Sequence, residues 1–182
     1  MGALKTEHAF PRYTYKEYLK WEDKWELIDG YPYMMAPAPT IEHQSISFKI
    51  AKELDFMLEN CSLCQALLPV DWKINDETVV QPDNLVICHK PKNKNYITKA
   101  PKIIFEVLSK STAKKDTGIK FELYESEGVN YYIIVDPDEK IAKAYELKEG
   151  RYIKMGDFSD EKIKFDISTC KKQLTFNMKK IW

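Results

Sequence analysis

The chain has 182 residues, of which 44% are hydrophobic and 13% aromatic. That is enough for one buried core and too little for two ordinary domains, so we expect a single domain over residues 1–182. Lys and Arg together number 28, as do Asp and Glu, and this balance excludes a strong overall attraction to nucleic acid or to a membrane surface.

The N-terminal segment MGALKTEHAFPRY carries charges and a proline, but no apolar run of the length that a signal peptide or a membrane span requires. We therefore expect a cytoplasmic protein without membrane contact. Cys61-x-x-Cys64 lacks the second closely spaced pair of Cys or His that a structural zinc site would need. Reduced thiols are the favoured interpretation of Cys61, Cys64, Cys88 and Cys170, with a redox pair at the first two as the weaker alternative.

The first 60 residues predict a short helix, a hairpin and a long helix. Residues 13–21 have helical composition, and Asp29-Gly30 between two extended runs is typical of a tight hairpin turn. Thr40 is a suitable N-cap for the long helix. His43 projects from the apolar side of this helix, so we expect it to face inward or toward a cleft. That side carries Ile46, Ile50, Leu54, Met57 and Leu58.

The rest of the chain predicts a mixed sheet flanked by helices. The extended runs are residues 63–74, 79–88, 102–108, 131–135, 141–147, 151–158, 163–167 and 174–176. The first three should form the central sheet, and a helix from about residue 109 to 127 follows them. The fifth and sixth runs should form a hairpin at Glu149-Gly150. This order predicts an α/β fold with a central mixed sheet and an added hairpin at each end.

Two carboxylates fall in segments that should be buried. Asp83 follows Gln81-Pro82 within an extended run, and Glu106 lies in IIFEVLS, which is otherwise apolar enough for a central strand. A buried carboxylate must be paired, protonated or bound to a cation, because removing an unpaired charge from water is costly. Two carboxylates on neighbouring strands suit Mg²⁺ or Mn²⁺. The pattern therefore predicts metal-dependent hydrolysis of phosphodiester bonds.

Five motifs occur in order along the chain: WELIDGYPYMMAPAPTIEHQSIS, QPD, FEVLSKST, KxxxY and GVNYYIIVDP. Together they resemble the Uma family of restriction-endonuclease-like proteins, within the PD-(D/E)XK nuclease superfamily, over roughly residues 13–147. The resemblance implies a restriction-endonuclease-like fold, with Asp83 and Glu106 as metal ligands and a catalytic lysine nearby.

The position of that lysine departs from the usual pattern of the superfamily, which places it two residues after the strand carboxylate. This chain has Leu108 there. On a helical projection around Ile119, Lys120 falls inside the apolar arc, with Asp116 one turn before it as a pairing partner. We therefore predict Lys120 as the catalytic lysine. The lysines outside the arc or before the helix should face solvent or phosphate: Lys110, Lys114 and Lys115.

The resemblance also implicates Glu26 and His43 in the site. Glu26 matches the carboxylate of the family's first hairpin and could ligate the metal or hold an outer water, while an exposed strand charge is an equal alternative. His43 could lie at the rim of the site, although a structural hydrogen-bonding role is commoner for a lone inward His. Gln81 is a candidate contact to a metal-bound water.

Lysines are concentrated between His89 and Lys120. This segment has nine lysines and only two acidic residues, Glu106 and Asp116. A local excess of seven positive charges beside two carboxylates predicts contact with the phosphate backbone of DNA. A solubilising loop is the alternative. The nine are Lys90, Lys92, Lys94, Lys99, Lys102, Lys110, Lys114, Lys115 and Lys120.

The function that these observations favour is a metal-dependent DNA endonuclease, acting as a homodimer because a double-strand cut needs two sites. One alternative is a nuclease-fold module that binds nucleic acid or protein without catalysis, which Leu108 would explain. Another is a metal phosphoesterase acting on a nucleotide or RNA. Whether Lys120 reaches the carboxylates distinguishes the first from the second.

Overall fold

The computed structural model describes residues 11–35, 38–109, 113–171 and 173–182. Its helices are α1 (Tyr15–Tyr18), α2 (Ile41–Leu58), α3 (Ala113–Asp116) and α4 (Ile119–Ser126), with a 3-10 turn at Met178–Lys180. Its strands are β1 (Trp25–Ile28), β2 (Tyr31–Met34), β3 (Gln65–Leu67), β4 (Asp71–Asn75), β5 (Thr78–Val80), β6 (Asn84–Ile87), β7 (Tyr96–Ile97), β8 (Ile103–Val107), β9 (Tyr131–Asp136), β10 (Ile141–Lys148), β11 (Arg151–Phe158), β12 (Lys162–Phe165) and β13 (Leu174–Asn177).

The central sheet has six strands in the order β11-β10-β9-β8-β6-β3. β8 and β9 run parallel, and the other neighbouring strands of this sheet are antiparallel. The sheet is therefore mixed, as the sequence predicts. β10 and β11 form the predicted hairpin, and its turn residues Glu149 and Gly150 both have positive φ, at 52° and 78°. A two-residue hairpin turn of this kind requires that conformation at both positions.

A second sheet, of five strands in the order β2-β1-β5-β4-β7, contains the predicted N-terminal hairpin. β1 and β2 pair around Asp29 and Gly30. β1 also pairs with β5 through Leu27 and Val79. This pairing brings Glu26 of β1 to the end of β5, where the chain crosses into the central sheet.

The interior lies on both faces of the central sheet. The odd-numbered residues of β8 pack with α2 and with the hairpin of β12 and β13 on one face. Ile104 packs with Tyr124 of α4 on the other face. Successive side chains of a strand point to opposite faces, so Glu106 shares the face of Ile104 and points toward α4.

The long helix α2 begins where the sequence predicts. Thr40 Oγ1 accepts a hydrogen bond from the backbone N–H of His43 at 3.1 Å, which satisfies one of the otherwise unpaired N–H groups of the first turn. Ile50 and Leu54, on the predicted apolar side, are completely buried. None of the helices in the described ranges is both long enough and apolar enough to cross a membrane.

The prediction of three uninterrupted central strands is wrong. Residues 63–74 divide into β3 and β4, and residues 79–88 divide into β5 and β6, with one member of each pair in each sheet. Pro69 lies between the first two strands and Pro82 between the second two. Proline has no N–H to donate to a strand ladder, so these are the points at which the chain changes sheets.

The predicted helix over residues 109–127 is also interrupted. α3 ends at Asp116 and α4 begins at Ile119, with Gly118 between them in a non-helical conformation. A Cβ atom at Gly118 would lie 2.9 Å from the backbone oxygen of Lys114. Glycine therefore permits this close turn, and the turn rotates α3 relative to α4. Lys110 lies outside the described residues.

The cysteines depart from the prediction of reduced thiols, which is wrong for this structure. Cys61 is bonded to Cys170 and Cys64 to Cys88. All four lie near the end of the central sheet at which β6 finishes.

We expect Phe105→Ala to lower the free energy of unfolding by roughly 3–5 kcal/mol, because Phe105 is completely buried and its ring centroid lies 4.8 Å from that of Phe176. Urea unfolding followed by circular dichroism measures the change. The matched control is Phe48→Ala, at a phenylalanine that is 67% exposed and should cost less than about 0.5 kcal/mol. Equal losses for the two variants would contradict this description of the core.

Candidate active site

Asp83 and Glu106 meet at the end of the central sheet where β6 begins and β8 finishes. β6 and β8 are antiparallel neighbours, with Asn84 opposite Phe105, so the residue before Asn84 lies beside the residue after Phe105. The N–H of Asp83 donates to Glu106 Oε2 at 3.2 Å, and the N–H of Val107 donates to Asp83 Oδ2 at 2.8 Å. The structure thus brings the two predicted carboxylates together.

Lys120 of α4 reaches both of the buried glutamates. Its Nζ lies 2.9 Å from Glu106 Oε1, 2.8 Å from Glu26 Oε1 and 3.6 Å from Asp116 Oδ1. The expected pairing with Asp116 is present. The Lys120 side chain is only 3% exposed, so its ammonium group is held by carboxylates in place of water.

Glu26 lies at the bottom of the site, and the alternative of an exposed strand charge is wrong. Its side chain is completely buried. Oε1 accepts the N–H of Gln81 at 3.0 Å in addition to its contact with Lys120, and Oε2 forms an ion pair with Lys115. The prediction that Lys115 faces solvent is therefore wrong, whereas Lys114 is exposed as predicted.

His43 lies at the mouth of the site, beside Asp83. His43 Nε2 is 3.1 Å from Asp83 Oδ2, and the side chains of the two residues are 14% and 20% exposed. Among the described residues, the buried Nδ1 atom of His43 has no hydrogen-bond partner. One turn along α2, Ser47 Oγ donates to Asn84 Oδ1 at 3.0 Å. His43 thus points inward, toward Asp83, as its position on the helix predicts.

Two residues of the site were missed by sequence reasoning. The hydroxyl of Tyr124 donates to Glu106 Oε1 at 2.8 Å. The carboxylate of Asp71 accepts from Gln81 Nε2 at 2.5 Å and from the Tyr18 hydroxyl at 3.1 Å. The spacing KxxxY, which places Tyr124 one turn after Lys120, was the available signal for the first. No comparable signal marked Asp71, which belongs to the other sheet.

The site contains more carboxylates than ammonium groups. Among the described residues, four carboxylates lie close to two ammonium groups. The carboxylates are those of Glu26, Asp83, Glu106 and Asp116, and the ammonium groups are those of Lys115 and Lys120. Burial raises the pKa of Glu106 well above its usual value, and Asp116, Asp83 and Glu26 raise it further against the opposing effect of Lys120.

The pKa values of the two glutamates that contact Lys120 are shifted in opposite directions. Burial raises the pKa of Glu26, but Lys120 and Lys115 together outweigh burial and hold that pKa below its usual value. Burial lowers the pKa of Lys120, and the neighbouring Glu106, Glu26 and Asp116 raise it well above the usual value. Lys120 thus pairs with both carboxylates, and of the two Glu106 is the one whose charged form burial disfavours more than Lys120 favours it.

The donor set fits a hard divalent cation. Asp83 Oδ1 takes part in no hydrogen bond among the described residues, while Oδ2 accepts from Val107. Carboxylate oxygens are the ligands that Mg²⁺ and Mn²⁺ prefer. A dication bound by Asp83 and Glu106 would favour the ionised form of Glu106.

A family model matches most of the chain. The model described as "Putative restriction endonuclease" (Uma2) matches residues 15–164 of the chain. The chain belongs to the Uma2 family. It is 32% identical over 132 residues to "Uncharacterized protein slr1290" of Synechocystis sp. (strain ATCC 27184 / PCC 6803 / Kazusa), a match that covers 68% of each protein. The predicted family is thereby confirmed.

The fold of this Uma2 protein is similar to that of a solved structure from Anabaena variabilis ATCC 29413. That crystal structure is described as "a putative nuclease belonging to DUF820". The TM-score is 0.74 at 19% sequence identity, with 92% of this chain and 96% of the other covered. The predicted mixed α/β fold is confirmed by this similarity.

We expect the pKa of His43 in the metal-free Uma2 protein to lie above the usual histidine value of about 6.5, because its hydrogen bond to Asp83 raises this pKa more than burial lowers it. The contribution of protonated His43 to stability is then fully present below pH of about 6.5 and is lost as pH rises through the folded-state pKa. Asp83→Asn should lower the His43 pKa, as measured by NMR titration in EDTA.

His89 is the internal control for that titration. Burial, with help from Lys99 and Lys102, lowers the pKa of His89, and Asp83→Asn should leave it unchanged. An equal shift of both histidines, or no shift of His43, would contradict the proposed pairing of His43 with Asp83.

Proposed function

We propose that this protein is a metal-dependent endonuclease that hydrolyses DNA phosphodiester bonds. The observation that carries the proposal is the position of Lys120, whose Nζ lies 2.9 Å from Glu106 Oε1, while the backbone N–H of Asp83 donates to the same carboxylate. Two carboxylates and a lysine thereby occupy one site even though Leu108 holds the usual position of the lysine.

The ligands of the metal in this proposal are Asp83 and Glu106. Bound there, Mg²⁺ or Mn²⁺ would lower the pKa of a water molecule and offset negative charge on the scissile phosphate. Glu26 has contacts with Lys115, Lys120 and the N–H of Gln81. These contacts favour a role in holding the lysines over direct ligation of the metal.

Lys120 and His43 have different tasks in the proposed reaction. Lys120 is fixed by Glu26 and Glu106, so it can hold the attacking water or stabilise charge on the phosphate without first reorganising. His43 is bonded to Asp83 at the partly exposed mouth of the site. In this proposal it orients that carboxylate. The side chain of Gln81 is hydrogen-bonded to Asp71. In this proposal it positions the segment where the chain passes from β5 to β6.

The DNA in this proposal lies across the mouth of the site. Lys114, on the helix beside Lys115, is exposed and is a candidate phosphate contact, together with Lys110. Four lysines of the link between β6 and β8 are exposed as well and are further candidate phosphate contacts: Lys90, Lys92, Lys94 and Lys99. We further propose a cytoplasmic homodimer, because two copies of the site are needed to cut both strands.

The second candidate function is a binding module that has lost catalysis. Leu108 favours this candidate, because an uncharged side chain occupies the position that usually holds the lysine. The contact of Lys120 with Glu106 argues for retained chemistry, because a replacement ammonium group is present at the carboxylate. Cleavage of RNA or of a nucleotide in place of DNA is a third outcome that the same assay can detect.

We expect the wild-type protein to cut supercoiled plasmid DNA in Mg²⁺ or Mn²⁺ and not in EDTA. Asp83→Asn, Glu106→Gln and Lys120→Met should each lower the single-turnover rate by at least about 100-fold, because each removes a ligand or a charge that acts on the transition state. Gel analysis of nicked and linear products measures the rate, with RNA and a nucleotide phosphodiester as parallel substrates.

Matched controls are available for these variants. Glu122→Gln changes an exposed acid on the helix that carries Lys120, and Lys143→Met changes an exposed lysine of β10; both should retain full activity. Each variant must also be folded at the assay temperature, as its circular dichroism spectrum and thermal unfolding curve show. Cutting that survives Lys120→Met would contradict the lysine assignment, and a wild type that binds DNA but cuts none of the substrates would favour the binding module.

A further inference from the structure

The four cysteines converge on one place from separate parts of the chain. Cys61 and Cys64 lie on the turn between α2 and β3, Cys88 directly follows β6, and Cys170 lies between β12 and β13. The Cα atoms of Cys61 and Cys170 are 5.3 Å apart although 109 positions separate these residues in the sequence. The chain has four cysteines in all, so every one of its cysteines belongs to this cluster.

Local backbone structure holds the cysteines in position. The N–H of Cys64 donates to the carbonyl oxygen of Cys61 at 3.0 Å, a tight turn that sets the two side chains next to each other. β3 pairs with β6 through Gln65 and Ile87, which places Cys64 opposite Cys88. The N–H of Cys170 donates to the oxygen of Ile167 at 2.8 Å in a second tight turn.

The two disulfides lie next to each other. The Sγ atoms of Cys64 and Cys170 are not bonded to each other and lie 3.6 Å apart. Those of Cys61, Cys64 and Cys170 all lie within 4.8 Å of one another, and Cys88 is bonded to Cys64. Four sulfurs at about 2.3 Å from a central zinc ion are separated by about 3.8 Å along each edge of the tetrahedron. Two independent disulfides do not require contact between the pairs.

We propose that Cys61, Cys64, Cys88 and Cys170 bind one structural Zn²⁺ ion when they are reduced. A dithiol or phosphine reductant supplies two electrons to each disulfide, and with the uptake of two protons each disulfide gives two thiols. Zn²⁺ then displaces the four thiol protons and is held by four thiolates. A closed set of four thiolates is typical of structural zinc.

The surroundings suit this role. Cys61 is buried and the other three cysteines are partly buried, and the Thr169 hydroxyl lies 3.4 Å from Cys64 Sγ, where it can donate to a thiolate. The site ties the end of α2 and the edge of the central sheet to the C-terminal segment. It lies at the opposite end of β6 from Asp83, so the zinc proposal is independent of the proposed nuclease function.

The decisive experiment uses the full-length protein, produced in medium that contains zinc and purified without oxygen in the presence of a phosphine reductant. Elemental analysis by mass spectrometry should find one zinc per chain. Replacement of the zinc by Co²⁺ should produce thiolate-to-cobalt charge-transfer absorption and the strong visible bands of tetrahedral cobalt. Asp83→Asn should keep the zinc while it abolishes cleavage, which separates the two proposals.

Variants test the ligand set, and the wild-type measurements stand even if a variant does not fold. Cys88→Ser and Cys170→Ser should each lose most of the zinc and the charge-transfer band, whereas His89→Ala, at the residue beside Cys88, should keep both. Reduced wild-type protein without zinc, iron in place of zinc, or protein trapped by acid directly from cells with both disulfides formed and no metal would each overturn the proposal.

Discussion

Lys120 carries an ammonium group into a region from which water is excluded, and it stays charged there because Glu26 and Glu106 hold it from two sides. Such an arrangement is costly when a partner is missing, since an uncompensated buried charge destabilises a protein by about 3–5 kcal/mol. The remaining features of the site follow from this requirement. Glu26 must be buried, β1 must lie beside β5, and α4 must approach the face of the central sheet that carries Glu106.

The same ion pairs join the two sheets. Glu26 belongs to the five-stranded sheet and Glu106 to the six-stranded sheet, and Asp83 lies on the crossing between them, next to Pro82. The charged groups that we assign to catalysis are thus also the contacts that fix how the sheets meet. Burial raises the pKa of Glu106 despite the nearby Lys120, and a divalent cation bound there would favour its ionised form.

Short-range patterns in the sequence predicted much of this structure. Asp29-Gly30 and Glu149-Gly150 marked both hairpins, because each turn needs residues that tolerate positive φ. The 3.6-residue period of α2 predicted the buried side of the helix and the inward position of His43. The apolar run around Glu106 predicted a buried strand, and the position of Lys120 within an apolar arc predicted its burial beside Asp116.

The features that sequence reasoning missed depend on distant parts of the chain or on breaks in a regular element. Lys115 was assigned to solvent or phosphate on a projection that assumed an unbroken helix, whereas the helix breaks at Gly118 and Lys115 forms an ion pair with Glu26. Asp71 reaches the site only because the chain changes sheets at Pro69. The cysteine cluster was invisible in the sequence because Cys170 approaches Cys61 from the far end of the chain.

The most direct test of this account is a crystal structure of the wild-type protein with Mn²⁺, in which anomalous scattering locates the metal. The account predicts an anomalous peak at about 2.1 Å from a carboxylate oxygen of Asp83 and from one of Glu106, with Lys120 still bonded to Glu26. It also predicts that the peak disappears in Asp83→Asn crystals grown in the same solution. An ordered site with no manganese between these carboxylates at saturating metal, or with manganese bound elsewhere only, would contradict it.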